Sequence, residues 1–227
     1  MITILFALTG LAAGLECLAV FNSWREVVYC AKPAAMLFLL GWLLLSGGLD
    51  GPLLWFALGV AFSLAGDVIL LLPDEERWFS FGLGAFLLAH VAYILGFNFP
   101  PPPLNGLTFG VAFMVIISVL PLIRRILLSM RQKGLDALLL PVRVYATIIS
   151  LVLFSALMTL FRVDWLATPA YLVSLGAALF LTSDLTLAWG KFIKPVRNGA
   201  ALVMVTYYLG QVLLVAGAVG QFGNISR

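Results

Sequence analysis

A chain of 227 residues that is 63% hydrophobic and only 10% charged does not fit a soluble domain, where roughly 25% of residues carry charge. A formal charge of +3 and a mean hydropathy of +1.12 leave no soluble appendage, low-complexity tail or nucleic-acid patch. The class that remains is an all-α integral membrane protein, a polytopic helix bundle built from long apolar runs.

Hydropathy and punctuation predict eight spans, at about 2–21, 31–47, 52–72, 78–98, 104–123, 140–161, 167–190 and 198–221. The first lacks the basic n-region of a secretory signal and is interrupted by Glu16, so it reads as a retained helix. "LEC" at Leu15–Cys17 lacks the small residue expected before a lipidated cysteine. Cys17 and Cys30 are expected to pack as small apolar groups, not to form a disulfide. Breaks fall at "NSWREVV", "GGLDGP", "PDEER", "PPPP", "RRILLSMRQKG", "RVDW" and "KFIKPVR", nearly all marked by glycine, proline or charge. Asp74, Glu75 and Glu76 are expected in water after the third span.

Basic residues fix an expected orientation. Loops after spans 1, 3, 5 and 7, with their flanks, hold Arg25, Lys32, Arg77, Arg124, Arg125, Arg131, Lys133, Arg143, Lys191, Lys194 and Arg197. The other side holds Arg162 and Arg227, giving 11 against 2. The positive-inside rule then puts both termini on the non-cytoplasmic side, and a bacterial inner membrane is the expected location. The chain reads as one integral membrane domain, 1–227, with two four-helix repeats at 1–103 and 104–227. The repeat rests on spacing: Asp67 precedes His90 by 23 residues, and Asp184 precedes Tyr207 by 23. Chance matching of apolar helices is the alternative.

Ionisable groups inside the spans carry the functional signal. A carboxylate in hydrocarbon costs roughly 2.5–3.5 kcal/mol, so it faces the bundle interior, a wet cavity or a partner. Asp67 and Asp184 lie late in helices that run the same way, so they share a depth. Tyr145 converges on that depth, and His90 and Gln211 lie deeper. Each has a structural alternative. The acids could pair with Lys32 or Arg143, Glu16 could snorkel to the interface, and His90 and Gln211 could bond neighbouring helices. Tyr93, Tyr145, Tyr207 and Tyr208 could be packing or belt aromatics. One histidine and two separated cysteines do not supply a zinc ligand set, and no serine sits in a G-x-S-x-G setting. No metal and no cofactor is expected. On these residues alone, a membrane enzyme and a small proton-coupled transporter stand level, with a lipid-binding protein without turnover as a third reading.

The motifs themselves are more specific. Lys32–Pro33, "LAGDVILL" around Asp67, "FGLGAFLLAHVAYILGF" through His90 and Tyr93, "PVRVY", "ALFLTSDLTLAW" and "YYLGQ" resemble the lysoplasmalogenase, or YhhN-like, family in order and spacing. The resemblance implies a multi-pass hydrolase that cleaves the vinyl ether of lysoplasmalogen to a fatty aldehyde and glycerophosphoethanolamine or glycerophosphocholine. Its motif positions fall on Lys32, Asp67, His90, Tyr93, Tyr145, Asp184 and Gln211. The implied partners are a lysophospholipid substrate and membrane lipid, with no nucleic acid.

Such chemistry needs an acid to protonate the β-carbon, and a base or anion for the cation and water that follow. Asp67 and Asp184 are the expected pair, with His90 and Tyr145 orienting water or polarising the ether oxygen. Lys32 is expected on the phosphate. Tyr93, Tyr207 and Gln211 complete the expected substrate contacts.

Overall fold

The computed structural model describes residues 2–47, 49–73, 75–102 and 104–223, with backbone only at Ile2, Glu75 and Glu76. Asp74 and Arg227 lie outside the described residues, as does the water access expected of the acids at 74–76. Among the described residues there are eight helices: α1 (Ile2–Phe21), α2 (Arg25–Leu45), α3 (Leu53–Leu70), α4 (Glu75–Phe97), α5 (Gly106–Gln132), α6 (Asp136–Thr159), α7 (Ala167–Phe192) and α8 (Gly199–Phe222). All eight are long and apolar enough to cross a membrane, and the chain is an integral multi-pass membrane protein.

Two boundaries differ from the sequence-based expectation. Helix α2 starts at Arg25, not near residue 31, and carries Lys32 and Pro33 inside it. Helix α5 runs to Gln132, straight through "RRILLSMRQ". Arginine is a good helix former, so charge ends the hydrocarbon stretch without ending the helix. What ends α5 is Gly134, at φ +69. Its N–H bonds the carbonyl of Arg131 and the N–H of Leu135 bonds that of Met130, a Schellman closure in which glycine takes the left-handed position. At the other end of α5, the Asn105 side chain caps the Thr108 N–H while the Asn105 N–H donates to the Thr108 hydroxyl.

Helix α8 is the centre of the bundle, packing against α1, α2, α3 and α7. The closest pairs are the hairpins α3–α4 and α7–α8. Glycine makes both possible. A Cβ on Gly210 would lie 3.0 Å from the carbonyl oxygen of Gly176, and one on Gly176 would lie 2.8 Å from the backbone nitrogen of Leu214. Along α3, Gly59 receives the Tyr93 ring and Gly66 the Phe86 ring, two knobs one heptad apart on α4.

Phe180 of α7, fully buried, sits under the site. Its ring centroid lies 4.8 Å from that of His90, 5.4 Å from Tyr207 and 6.5 Å from Tyr93. At the end of the bundle holding the α6–α7 loop, the buried Arg162 bonds Asp164 through two nitrogens, at 3.0 and 2.6 Å, and the Phe97 carbonyl at 2.8 Å. Gln221 of α8 bonds the same loop at Leu166 and Asp164. The opposite end carries Arg25, Lys191 and the α1–α2 and α3–α4 turns around one hollow. Cys17 is half-buried and Cys30 exposed, and both are free, so only Cys17 packs as expected.

Candidate active site

Five helices bring polar groups to one cavity of about 140 Å³ near the basic end. Its walls are apolar except for Lys32 of α2, Asp67 of α3, Tyr145 of α6, Ser183, Asp184 and Lys191 of α7 and Tyr207 of α8. Asp67 is three residues from the end of α3, about 4.5 Å along the axis, and Asp184 is eight from the end of α7, about 12 Å. Both acids face the interior, as the cost of exposing them to lipid requires.

Asp67 is almost fully buried. Its Oδ1 lies 3.2 Å from the Lys32 ammonium and its Oδ2 accepts a 2.6 Å bond from the Tyr207 hydroxyl. Both of its oxygens therefore meet donors. Of the two basic partners considered from the sequence, Lys32 is the one it has; Arg143 is exposed.

Asp184 differs. The Tyr145 hydroxyl donates to its Oδ2 at 2.5 Å, and Nε2 of His90 stands 3.8 Å from that same oxygen, beyond hydrogen-bond range. His90 is fully buried, and its Nδ1 donates to the Phe86 carbonyl at 2.5 Å. A carbonyl only accepts, so the ring proton sits on Nδ1 and the Nε2 lone pair points at Asp184 without a hydrogen-bond partner among the described residues. The rings of His90 and Tyr145 meet edge to face at 5.2 Å.

Tyr93 and Gln211 lie outside the cavity lining, in a buried chain beside it. The Tyr93 hydroxyl donates to Gln211 Oε1 at 2.6 Å, and Gln211 Nε2 donates to Ser63 Oγ at 2.9 Å. Ser63 is one turn before Asp67 on α3, and Gln211 one turn after Tyr207 on α8. The Ser63–Gln211 bond thus holds α3 and α8 in the register that brings Tyr207 to Asp67.

Glu16 corrects an expectation. It does not snorkel: its side chain is fully buried and accepts a hydrogen bond from Tyr208 of α8. Sequence depth placed it near an interface, but its face on α1 turns toward the bundle centre. Ser63 and Tyr208 were not singled out as partners, since a small hydroxyl and one of two adjacent tyrosines carry no signal without the packing. Among the described residues, no group of three or more His, Cys, Asp or Glu side chains is arranged to hold a metal ion.

Fold and site together define a polytopic helical membrane protein with a largely apolar inner cavity into which two aspartates are set. The chain belongs to the YhhN family, whose sequence profile matches residues 27–218. It is similar to lysoplasmalogenase TMEM86B of Mus musculus, 29% identical over 196 residues, 86% of this chain and 76% of that protein. Lysoplasmalogenase TMEM86A of Bos taurus is 34% identical over 163 residues, 71% of this chain and 63% of that one. Lysoplasmalogenase of Mycobacterium bovis is 30% identical over 166 residues, 72% and 59% of the two chains. No solved structure matches significantly.

Proposed function

We propose that this chain is a lysoplasmalogenase, a membrane hydrolase that cleaves the vinyl ether of a single-chain glycerophospholipid to a fatty aldehyde and a glycerophosphodiester. Family membership and the names of its relatives support the reaction class. The observation that carries the mechanism is the asymmetry of the two acids. Asp67 has both oxygens engaged by donors, the pattern of a carboxylate. Among the described residues the contacts of Asp184 fall on Oδ2, which leaves Oδ1 to hold a proton.

Asp184 therefore serves as the acid and delivers a proton to the β-carbon of the vinyl ether. The double bond supplies the electron pair, and an oxocarbenium ion forms. Asp67 faces that cation and takes a proton from the attacking water, which bonds to the former vinyl carbon next to oxygen. The hemiacetal then breaks its C–O bond to the glycerol. The glycerol oxygen receives the proton that Asp67 took from water, the hemiacetal hydroxyl gives its own proton back to Asp184, and the aldehyde leaves along the apolar wall. Tyr145 fixes Asp184 by its hydrogen bond. His90 presents an acceptor nitrogen beside it, able to hold water in line or return a proton. Lys32 and Tyr207 hold Asp67.

The expected experiment is turnover of lysoplasmalogen by purified protein in heavy water, with the aldehyde trapped as it forms. One deuterium should appear on the carbon next to the aldehyde carbon. Asp184→Asn and Asp67→Asn should each lower kcat by about 10²- to 10⁴-fold, the range of general acid–base contributions. No aldehyde from folded protein, together with solute flux in liposomes, would move the assignment to the transporter reading.

The basic end is taken as cytoplasmic, in a bacterial inner membrane, with both termini on the other side. The residues flanking the odd-numbered helix ends support this. In a background lacking Cys17 and Cys30, an impermeant thiol reagent should label Val163→Cys from outside the cell and leave Ser23→Cys untouched.

One domain of two four-helix units, 1–103 and 104–227, fits the way partners are exchanged. Each acid takes one partner from the second helix of its own unit, Lys32 for Asp67 and Tyr145 for Asp184. Each faces a residue on the last helix of the other unit: Tyr207 for Asp67, and His90 for Asp184. Those two residues are the pair that stands at the matching 23-residue spacing.

A further inference from the structure

Two cations line the inner cavity, Lys32 within it and Lys191 where it meets a second hollow. Lys32, expected on the phosphate from the sequence, is buried against Asp67, and moving it would strip that acid of its counter-charge. The rest of the wall is mainly aliphatic and aromatic. The second hollow, of about 690 Å³, lies at the basic end. It shares Leu70, Phe79, Leu187 and Lys191 with the inner cavity, so the two adjoin. Its own polar lining is Ser23, Arg25 and Tyr29, all exposed toward the basic face. Lys191 stands at the junction with its ammonium 4.2 Å from the centre of the Phe79 ring.

We propose that this outer hollow is the headgroup subsite: Arg25, Lys191 and the Tyr29 hydroxyl bind the phosphodiester of a single-chain glycerophospholipid whose ether bond lies in the inner cavity. The proposal rests on the lysoplasmalogenase reading and adds where the substrate's charge is held. In such a lipid only the glycerol backbone separates the ether oxygen from the phosphate. Reacting bond and headgroup must therefore occupy adjoining hollows, an apolar one with acids and a cationic one open to water. Guanidinium is suited to the phosphate because its planar fork donates two parallel bonds. Phe79 and Lys191 then form the neck through which the glycerol passes, and a glycerophosphodiester product can leave on the aqueous side without crossing the bilayer interior.

Binding to Asp184→Asn protein, with probes that carry no vinyl ether, separates the subsite from the chemistry. The two probes are a saturated 1-O-alkyl-lysophosphatidylcholine and the matching 1-O-alkylglycerol, which lacks the phosphate. The phospholipid should bind at least about 10-fold tighter, since one or two charge-assisted bonds are at stake. In the Arg25→Gln/Lys191→Gln variant that preference should vanish while alkylglycerol affinity is kept, which also reports a folded protein. A preference that survives there but is lost in Lys32→Met would place the phosphate at Lys32 and overturn the proposal. If inorganic phosphate displaces the phospholipid as well as glycerophosphocholine does, the hollow is a general anion site and the headgroup assignment falls. Binding of neither lipid by folded protein would remove the lysoplasmalogenase reading itself, and the subsite with it.

Discussion

Lys32 and Asp67 form an ion pair where the surroundings are mostly hydrocarbon side chains. Burying two charges costs several kcal/mol each, and their attraction roughly offsets it, so such a pair adds little net stability. Breaking it is another matter. Lys32→Met leaves an uncompensated carboxylate and should lower stability by about 3–5 kcal/mol. Lys32→Met/Asp67→Leu should recover most of that loss while remaining without turnover. Thermal unfolding in detergent beside an aldehyde assay reads both effects. A double variant no more stable than the single one would mean the pair is held for packing and not for its charge. This pair also shows what was legible beforehand. Asp67, Asp184 and His90 stood out because charge or polarity inside an apolar run is expensive enough to need a reason, whereas Lys32 was counted with the basic loop flanks and took its site role from the family resemblance. Glu16 stood out equally but was misread, because depth along a helix is written in the sequence and the face of that helix is not. Ser63 is invisible by the same logic: a serine in a spanning helix bonds its own backbone at little cost, so its role appears only when Gln211 arrives opposite it.

Among the elements, the hairpins carry the geometry of the site, and their glycines set how near the backbones come. At Gly210 an added methyl would meet backbone atoms of Gly176 and Phe180 at 3.0 Å, which cannot yield without moving a helix. Gly210→Ala should cost about 1–3 kcal/mol, the range for overpacking. It should reduce activity too, by displacing Tyr207 from Asp67. Gly84→Ala, in the interior of α4 with nothing within 4 Å of its Cβ, should be neutral or up to about 1 kcal/mol stabilising. The two unfolding midpoints, compared in one detergent, test the contrast. Helix boundaries were legible where glycine or proline broke the chain. They were not legible at α5, where arginines were taken for a loop although the helix continues through them.

The α6–α7 loop supplies a pH-dependent element. Hydrogen bonds from Arg162 hold the Asp164 carboxyl below its ordinary value, with the Arg162 charge acting the same way against partial burial. A depressed carboxyl contributes stability above its unfolded value, near pH 4, and loses it as pH falls through the folded value below that. Asp164 is 46% exposed, so solvent screening keeps the effect under about 1 kcal/mol. Asp164→Asn should therefore unfold earlier than the parent protein at pH 6–8. The gap should close as the pH drops below about 4. A gap that stays constant to lower pH would show that Arg162 is held by the Phe97 carbonyl and not by the charge of Asp164.

At the scale of the whole molecule, the exchange of partners makes a demand that two independent bundles would not. If the units 1–103 and 104–227 each completed their own acid site, either could be expressed alone with its polar groups satisfied. Here Tyr207 must come to Asp67 from the second unit, and His90 to Asp184 from the first. Separated, each unit would expose a buried carboxyl and a helix face whose covering lies on the other chain. The prediction is that neither unit alone accumulates or releases aldehyde. Co-expressed as two chains, they should assemble in the membrane and recover turnover, because helix pairs settle by packing and hydrogen bonding once inserted. Tyr207→Phe in the second chain should then weaken co-purification with the first, by removing a bond of Asp67 across the joint. Unaltered co-purification of that variant, with turnover lost, would confine Tyr207 to the chemistry and leave assembly to the Gln211 bonds with Tyr93 and Ser63.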